Sequence, residues 1–226
     1  MTHPLPVLSL LKTRVLAVLA EKQRTVPDSY PLTLNCLVSG CNQKSSRDPV
    51  MEASEAEVQA ALDSLRSLSL IVESRGGRAS RYAHNIEKVL HIPSQSLALL
   101  TMLMLRGPQT AGELRISCER LHKFADISSV ESFLTELAER TAGALVVELP
   151  RQPGSRENRW MHLLSGEPVL ESYSTTGMSV GSSDVTVGEI AALKADVSKL
   201  EGEVSELREM LGKLCAELGV SVDKDH

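Results

Sequence analysis

At 226 residues the chain can hold two small domains with a core each, and 42% hydrophobic with 23% charged residues is the balance of a globular protein, not of a disordered or membrane chain. Aromatic side chains, at 3%, are too few for the stacking platforms of a single-strand nucleic-acid fold. The net charge of −5 is uneven: +2 over residues 1–90, zero over 91–165 and −7 over 166–226, so the acidity lies in the tail and the remainder is no strongly basic nucleic-acid sponge.

The chain opens MTHPLPVLSLLKTR, with no basic segment ahead of an apolar core and no small-residue cleavage site, from which a cytoplasmic protein is expected. Leu8, Leu11, Val15 and Val18 then mark a first amphipathic helix. Tyr30-Pro31 shapes the entry to a second helix, from about Thr33 to Asn42. The turn after it carries Lys44 and Arg47, two candidate phosphate contacts. A third helix opens with the capping box Ser54-x-x-Glu57 and buries Val58, Leu62 and Leu65. Next comes the β-prone run Leu70-Ile71-Val72, the turn Gly76-Gly77, and Arg78-x-x-Arg81-Tyr82-x-His84.

The same order of signals then recurs. Leu97 to Leu105, with Ser94 as cap, is the longest apolar run; Thr101 breaks it and it is too short to span a bilayer. A shorter helix follows from Thr110 to Leu121, opening with Thr110-x-x-Glu113, and then a third, opening with Ser128-x-x-Glu131 and burying Val130, Leu134 and Leu137. Leu145-Val146-Val147, the turn Pro153-Gly154 and Arg156-x-x-Arg159-Trp160-x-His162 close the repeat. Three helices and a hairpin, twice, is the winged-helix order. The expected fold is mainly α with small β-hairpins (α+β): tandem winged-helix domains over 1–90 and 91–165, a linker over 166–188 and a coiled coil over 189–220.

The linker assignment rests on the Gly, Ser and Thr content of 166–188. Beyond it, Ile190, Val197, Val204, Leu211 and Leu218 fall at heptad position a, and Leu193, Leu200, Leu207 and Leu214 at d. That seam predicts a homodimer, and β-branched residues at the early a positions with Leu at d favour a parallel pair. Flanking charges support the parallel arrangement only in part, and a helix folded back on its own chain is the alternative.

The stretches Glu21-Lys22-Gln23, Tyr30-Pro31-Leu32, Cys41-Asn42-Gln43-Lys44, Gly107-x-Gln109-Thr110-x-Gly112-Glu113-Leu114-Arg115 and Arg159-x-Met161-His162 resemble the YceH-like family of uncharacterised bacterial proteins, from about residue 8 to 165. The sequence departs from that pattern at Ala20, where a larger residue is expected, and at Gly40, where alanine is expected. The resemblance implies tandem winged helices and no activity.

No enzymatic template is met. Gly40 to Ser45 ends in the Lys-Ser of a phosphate loop but lacks its glycines, and there is no G-x-S-x-G, H-E-x-x-H or G-x-G-x-x-G. Cys118-x-x-x-His122 has no second ligand pair, so it reads as a buried thiol beside a surface histidine, and no cofactor is expected. The first functional reading is a dimeric DNA-associated protein, such as a transcriptional regulator, whose wings touch phosphate through Arg75, Arg78, Arg81, Arg151, Arg156 and Arg159. Arg81 and Arg159 have a structural alternative, pairing or stacking to fix the hairpin, and His84 and His162 read as packed strand-end residues. The third helices, with Glu55, Glu57 and Asp63 against Arg66 and Glu131, Glu136 and Glu139 against Arg140, argue against major-groove reading. The alternative is a non-enzymatic protein-interaction scaffold, an analogy with the tandem winged helices of chromosome-segregation accessory proteins.

Overall fold

The computed structural model describes residues 6–76, 79–151, 155 and 157–167. The nine heptad residues from Ile190 to Leu218, and all but two residues of the expected linker, lie outside the described residues. Among the described residues, seven helices and two small antiparallel sheets make a mixed α/β fold in which the order helix, helix, helix, hairpin appears twice.

In the first repeat, α1 (Leu10–Thr25) is capped by Ser9, and a 3-10 turn at Pro27–Ser29 leads to strand β1 (Leu32–Thr33). Thr33 caps α2 (Leu34–Cys41), and the expected box of Ser54 and Glu57 opens α3 (Glu55–Ser67). Strands β2 (Ile71–Ser74) and β3 (Arg81–His84) form the hairpin, and β1 pairs with the free edge of β3, with Leu32 opposite Tyr82. An additional short helix, α4 (Ile86–Leu90), ends at His91 in the left-handed region, φ 50°, and turns the chain into the second repeat.

There, α5 (Ser94–Arg106), α6 (Ala111–Ser117) and α7 (Ile127–Ala138) precede β4 (Val146–Glu148) and β5 (Trp160–His162). Gln109 forms a bridge to Trp160, the counterpart of Leu32 opposite Tyr82. The backbone closures repeat as well: Asn85 N–H donates to the Leu70 carbonyl at 2.7 Å, and Leu163 N–H to the Leu145 carbonyl at 2.8 Å. Three boundaries differ from expectation. Ser94 is the first helical residue, following an extended Pro93 that offers no side-chain acceptor. The α7 cap is Asp126, whose carboxylate accepts the Ser129 N–H at 2.7 Å; Ser128 and Glu131 lie inside the helix, exposed. Helix α6 stops at Ser117, with Leu121 in the turn beyond it.

Helices α1 and α5 pack against each other and join the repeats into one body. Every residue from Thr13 to Ala20 and from Ser96 to Leu105 is buried, so neither helix keeps a solvent face through its middle. A helix apolar on all sides has to lie inside a core, which accounts for the long run Leu97 to Leu105. Polar ties cross the same seam. Asp48 N–H donates to the Leu105 carbonyl at 2.8 Å, Arg106 Nη2 to Ser46 Oγ at 2.7 Å, and Arg140 Nη2 to the Leu90 carbonyl.

This packing accounts for the glycine at position 40. A Cβ on Gly40 would stand 2.6 Å from Val18 Cγ1, and a β-branched side chain in a helix has no other rotamer to retreat to. Ala20 borders a void of about 10 Å³ between α1 and α5, where a larger side chain would reach toward Leu97 and Thr101.

Candidate interaction surface

The loop from Asn42 to Ser54 is clamped from below by two arginines. Arg14, fully buried, donates to the carbonyls of Cys41 at 3.3 Å and Pro49 at 2.8 Å. Arg47, also buried, donates to the Gly40 carbonyl at 3.1 Å and Gln43 Oε1 at 2.6 Å, and forms a two-pronged pair with Glu21 at 2.6 and 3.3 Å. The expectation that Arg47 faces solvent as a phosphate contact is therefore corrected, because its donors are taken up inside the fold. Burial pushes the guanidinium pKa of Arg14 down, Arg47 adding to the effect, and pushes the Cys41 thiol up to about 11. Lys44, in the same loop, is exposed.

The hairpin arginines are distributed unequally. Glu73 on β2 accepts Arg75 Nε at 2.9 Å and also binds Arg66 from α3. The Arg75 hydrogen bond, with Ser80 and Arg66 assisting, holds the Glu73 carboxyl down at about 2. Arg75 thus meets its countercharge within its own hairpin. Arg81 Nη1 donates to the carbonyls of Pro31 at 2.8 Å and Ser29 at 3.5 Å, tying β3 to the segment before β1. Arg151 is exposed, and Arg159 stands 3.8 Å from Glu113 with 45% of its side chain open. Arg78 and Arg156 lie outside the described residues.

At the base of the hairpins sit the two repeat histidines. His84 Nε2 meets Gln23 Oε1 at 2.7 Å, and its backbone N–H donates to Tyr30 Oη at 2.8 Å. Burial lowers both imidazoles to about 4, Arg24 contributing at His84, and neither Nδ1 has a partner among the described residues. Both pack at the ends of β3 and β5, in agreement with their reading as strand-end residues. The Cys118 thiol is buried and pushed up to about 12, while His122 stacks edge-on against Phe124 at 4.7 Å between centroids.

The outward faces of the third helices are acidic. Asp63 on α3 pairs with Arg66 at 3.4 Å, and Arg66 is shared with Glu73. Helix α7 exposes Glu131 and Glu136 and contains no Lys or Arg; Glu139 follows, exposed, and Arg140 beyond it is turned to the carbonyls of Leu90 and Gly143.

An open groove of about 390 Å³ runs between the loop, the end of α5, α6 and β5. Asp48, Arg106, Glu113, Ile116 and Arg159 line it above Gln109, which is held by the Met102 carbonyl at 3.1 Å and Ser117 Oγ at 3.0 Å. Ile116 is 75% exposed. Arg106, Glu113 and Ile116 were not singled out from the sequence as surface candidates. The signal was there, in the shared Pro-x-Thr of 31–33 and 108–110, which aligns the start of α6 with that of α2.

Compared with known proteins, the chain matches over residues 8–155 the family model described as "Protein of unknown function, DUF480". A UPF0502 protein of Dechloromonas aromatica is 62% identical over 206 residues, covering 85% of this chain and 97% of that relative. A UPF0502 protein of Burkholderia vietnamiensis is 55% identical over 213 residues, 94% and 90% of the two chains, and one of Methylibium petroleiphilum is 59% identical over 191 residues, 84% and 81%. The YceH-like resemblance covers the same part of the chain.

Proposed function

The chain belongs to the DUF480 family of bacterial proteins of unknown function, and from its own residues we propose that it is a non-enzymatic protein-interaction scaffold built on tandem winged helices. The observation that carries this reading is the charge on the two third helices. A helix entering the major groove passes between two rows of phosphates, and carboxylates there are repelled while reading only a cytosine amino group. The α7 face carries Glu131 and Glu136 with no cation on the helix, and of the candidate phosphate contacts Arg47, Arg75 and Arg81 are engaged within the fold. An exposed isoleucine beside a groove of mixed charge suits a polypeptide partner better than a duplex.

DNA association is the second reading, favoured by the helix and hairpin order together with exposed Lys44 and Arg151. Fluorescence anisotropy of the full chain with mixed-sequence duplex, from low to physiological salt, separates the two. The scaffold reading expects no saturable binding at physiological salt; tight binding whose logarithm falls steeply with salt, flattened by Arg78→Ala with Arg156→Ala, would replace it with the DNA reading.

The heptad from Ile190 to Leu218 makes the scaffold a homodimer in this proposal. Light scattering on the full chain should give twice the 24.5 kDa chain mass, reduced to one chain by Leu200→Lys with Leu207→Lys. A monomeric wild-type chain would remove the dimer.

A further inference from the structure

The internal repeat shows what lies against the start of each long helix. Leu8 and Ile92 each stand two residues before the first residue of α1 and α5, and both are buried, 2% and 6% exposed. Each donates its backbone N–H to a carbonyl in a segment that follows a hairpin: Leu8 to Leu164 at 2.8 Å, Ile92 to Glu87 at 3.2 Å. Those two segments are counterparts, since Asn85 and Leu163 close on Leu70 and Leu145, and Ile86 and Leu164 beyond them are buried. From there the repeats part. After β3 the chain runs through α4, where Val89 is half-buried and Leu90 buried, and α4 packs against α5. After β5 the last described residue is Glu167, and the entry to α1 keeps two apolar side chains in the open, Val7 at 69% and Leu10 at 43%.

The occupant that fits this apolar patch is the chain's own continuation. Gly166 lies beside it, because a Cβ added there would stand 3.5 Å from Val7 Cγ1, in ordinary contact. Residues 167–171 read Glu-Pro-Val-Leu-Glu, and Pro168-Val169-Leu170 is the one run of three apolar residues between 166 and 188. That run lies outside the described residues. Four residues beyond Gly166 reach about 14 Å, enough to lay Val169 and Leu170 across Val7 and Leu10. Charge agrees as well. The first turn of α1 contains Lys12 and no acidic residue, and a helix start favours negative charge, which Glu167 and Glu171 supply on either side of the triplet. We propose that Val7 and Leu10 form a docking site for residues 168–170 of the same chain, which take before α1 the place that Val89 and Leu90 take before α5. This clasp is independent of what the repeats bind.

Hydrogen–deuterium exchange of the full chain, read by mass spectrometry at two protein concentrations and corrected for intrinsic rates, tests it. In the wild-type chain, amides of 169–172 should exchange at least about tenfold more slowly than those of 176–186, the protection that two covered aliphatic side chains sustain. Val7→Asp with Leu10→Asp should remove that difference, while Ile116→Asp, at an exposed isoleucine on α6, should leave it unchanged. Both patch residues are exposed, so these variants should fold. Val169→Ser with Leu170→Ser gives a second reading, faster exchange in the first turn of α1. Equal rates in the wild-type chain, or protection that survives Val7→Asp with Leu10→Asp, overturn the proposal. Protection that appears only at the higher concentration overturns it too and gives the patch to a second copy.

Discussion

Replacing Glu21 by alanine should cost about 3–5 kcal/mol of stability, the range expected when one partner of a buried ion pair is removed and the other charge is left behind. The Arg47 side chain has no solvent exposure and that of Glu21 has 16%, so removing the carboxylate leaves the guanidinium charge inside the fold. A second buried guanidinium, Arg14, has its pKa pushed down by burial and then by Arg47, and its own partners are neutral carbonyls. Urea unfolding of Glu21→Ala should show a large fall in midpoint, and adding Arg47→Met should recover part of it, since an apolar side chain of similar length removes the orphaned charge. A loss below about 1 kcal/mol would mean that the pair is solvated and behaves as a surface bridge.

Acid should destabilise the protein before its carboxylates titrate. His84 and His162 have folded-state pKa values lowered from 6.5 to about 4 by burial, so the unfolded chain takes up protons first. Their contribution is fully present above about pH 6.5 and is lost progressively as pH falls from there toward 4. At pH 5 each imidazole costs on the order of 2 kcal/mol by this linkage, and the two together about twice that. The carboxylates held low, Glu57, Glu73 and Asp126, lose their contribution only below their ordinary range near 4, which leaves pH 5 to 6.5 to the histidines. Thermal melts between pH 7 and 5 should show a steep fall in Tm, flattened by about half in His162→Phe, which keeps an aromatic ring in the site. A flat profile in the wild-type chain would place both imidazoles in contact with water.

Much of the fold could be read from local chemistry. Ser54 with Glu57 and Thr110 with Glu113 cap α3 and α6 because hydroxyl and carboxylate sit three residues apart, a pattern visible in the letters alone. Ser128 with Glu131 has the same pattern yet caps nothing, since Asp126 two residues earlier already holds the first turn. Competition between adjacent caps depends on where the preceding loop delivers the chain, which spacing does not reveal. The pairing of α1 with α5 was also out of reach: period 3.6 identifies one buried stripe, whereas both helices are covered on every side by elements distant in sequence.

The surface was harder to read than the core. Arg47 looks like an ordinary turn residue in the letters, but a carboxylate 26 positions earlier draws it inside. Arg81 and Arg159 share a motif and differ in role, because only Arg81 finds carbonyls within reach. The repeat identified the position correctly and could not say which copy was satisfied.

The account turns on the claim that the two repeats engage a protein and not nucleic acid. The most direct measurement is the anisotropy of labelled mixed-sequence duplex DNA titrated with the full-length protein at physiological salt. Anisotropy should stay constant through an excess of protein. A saturable rise that steepens as salt is lowered would contradict the claim and return the hairpin arginines to the DNA backbone.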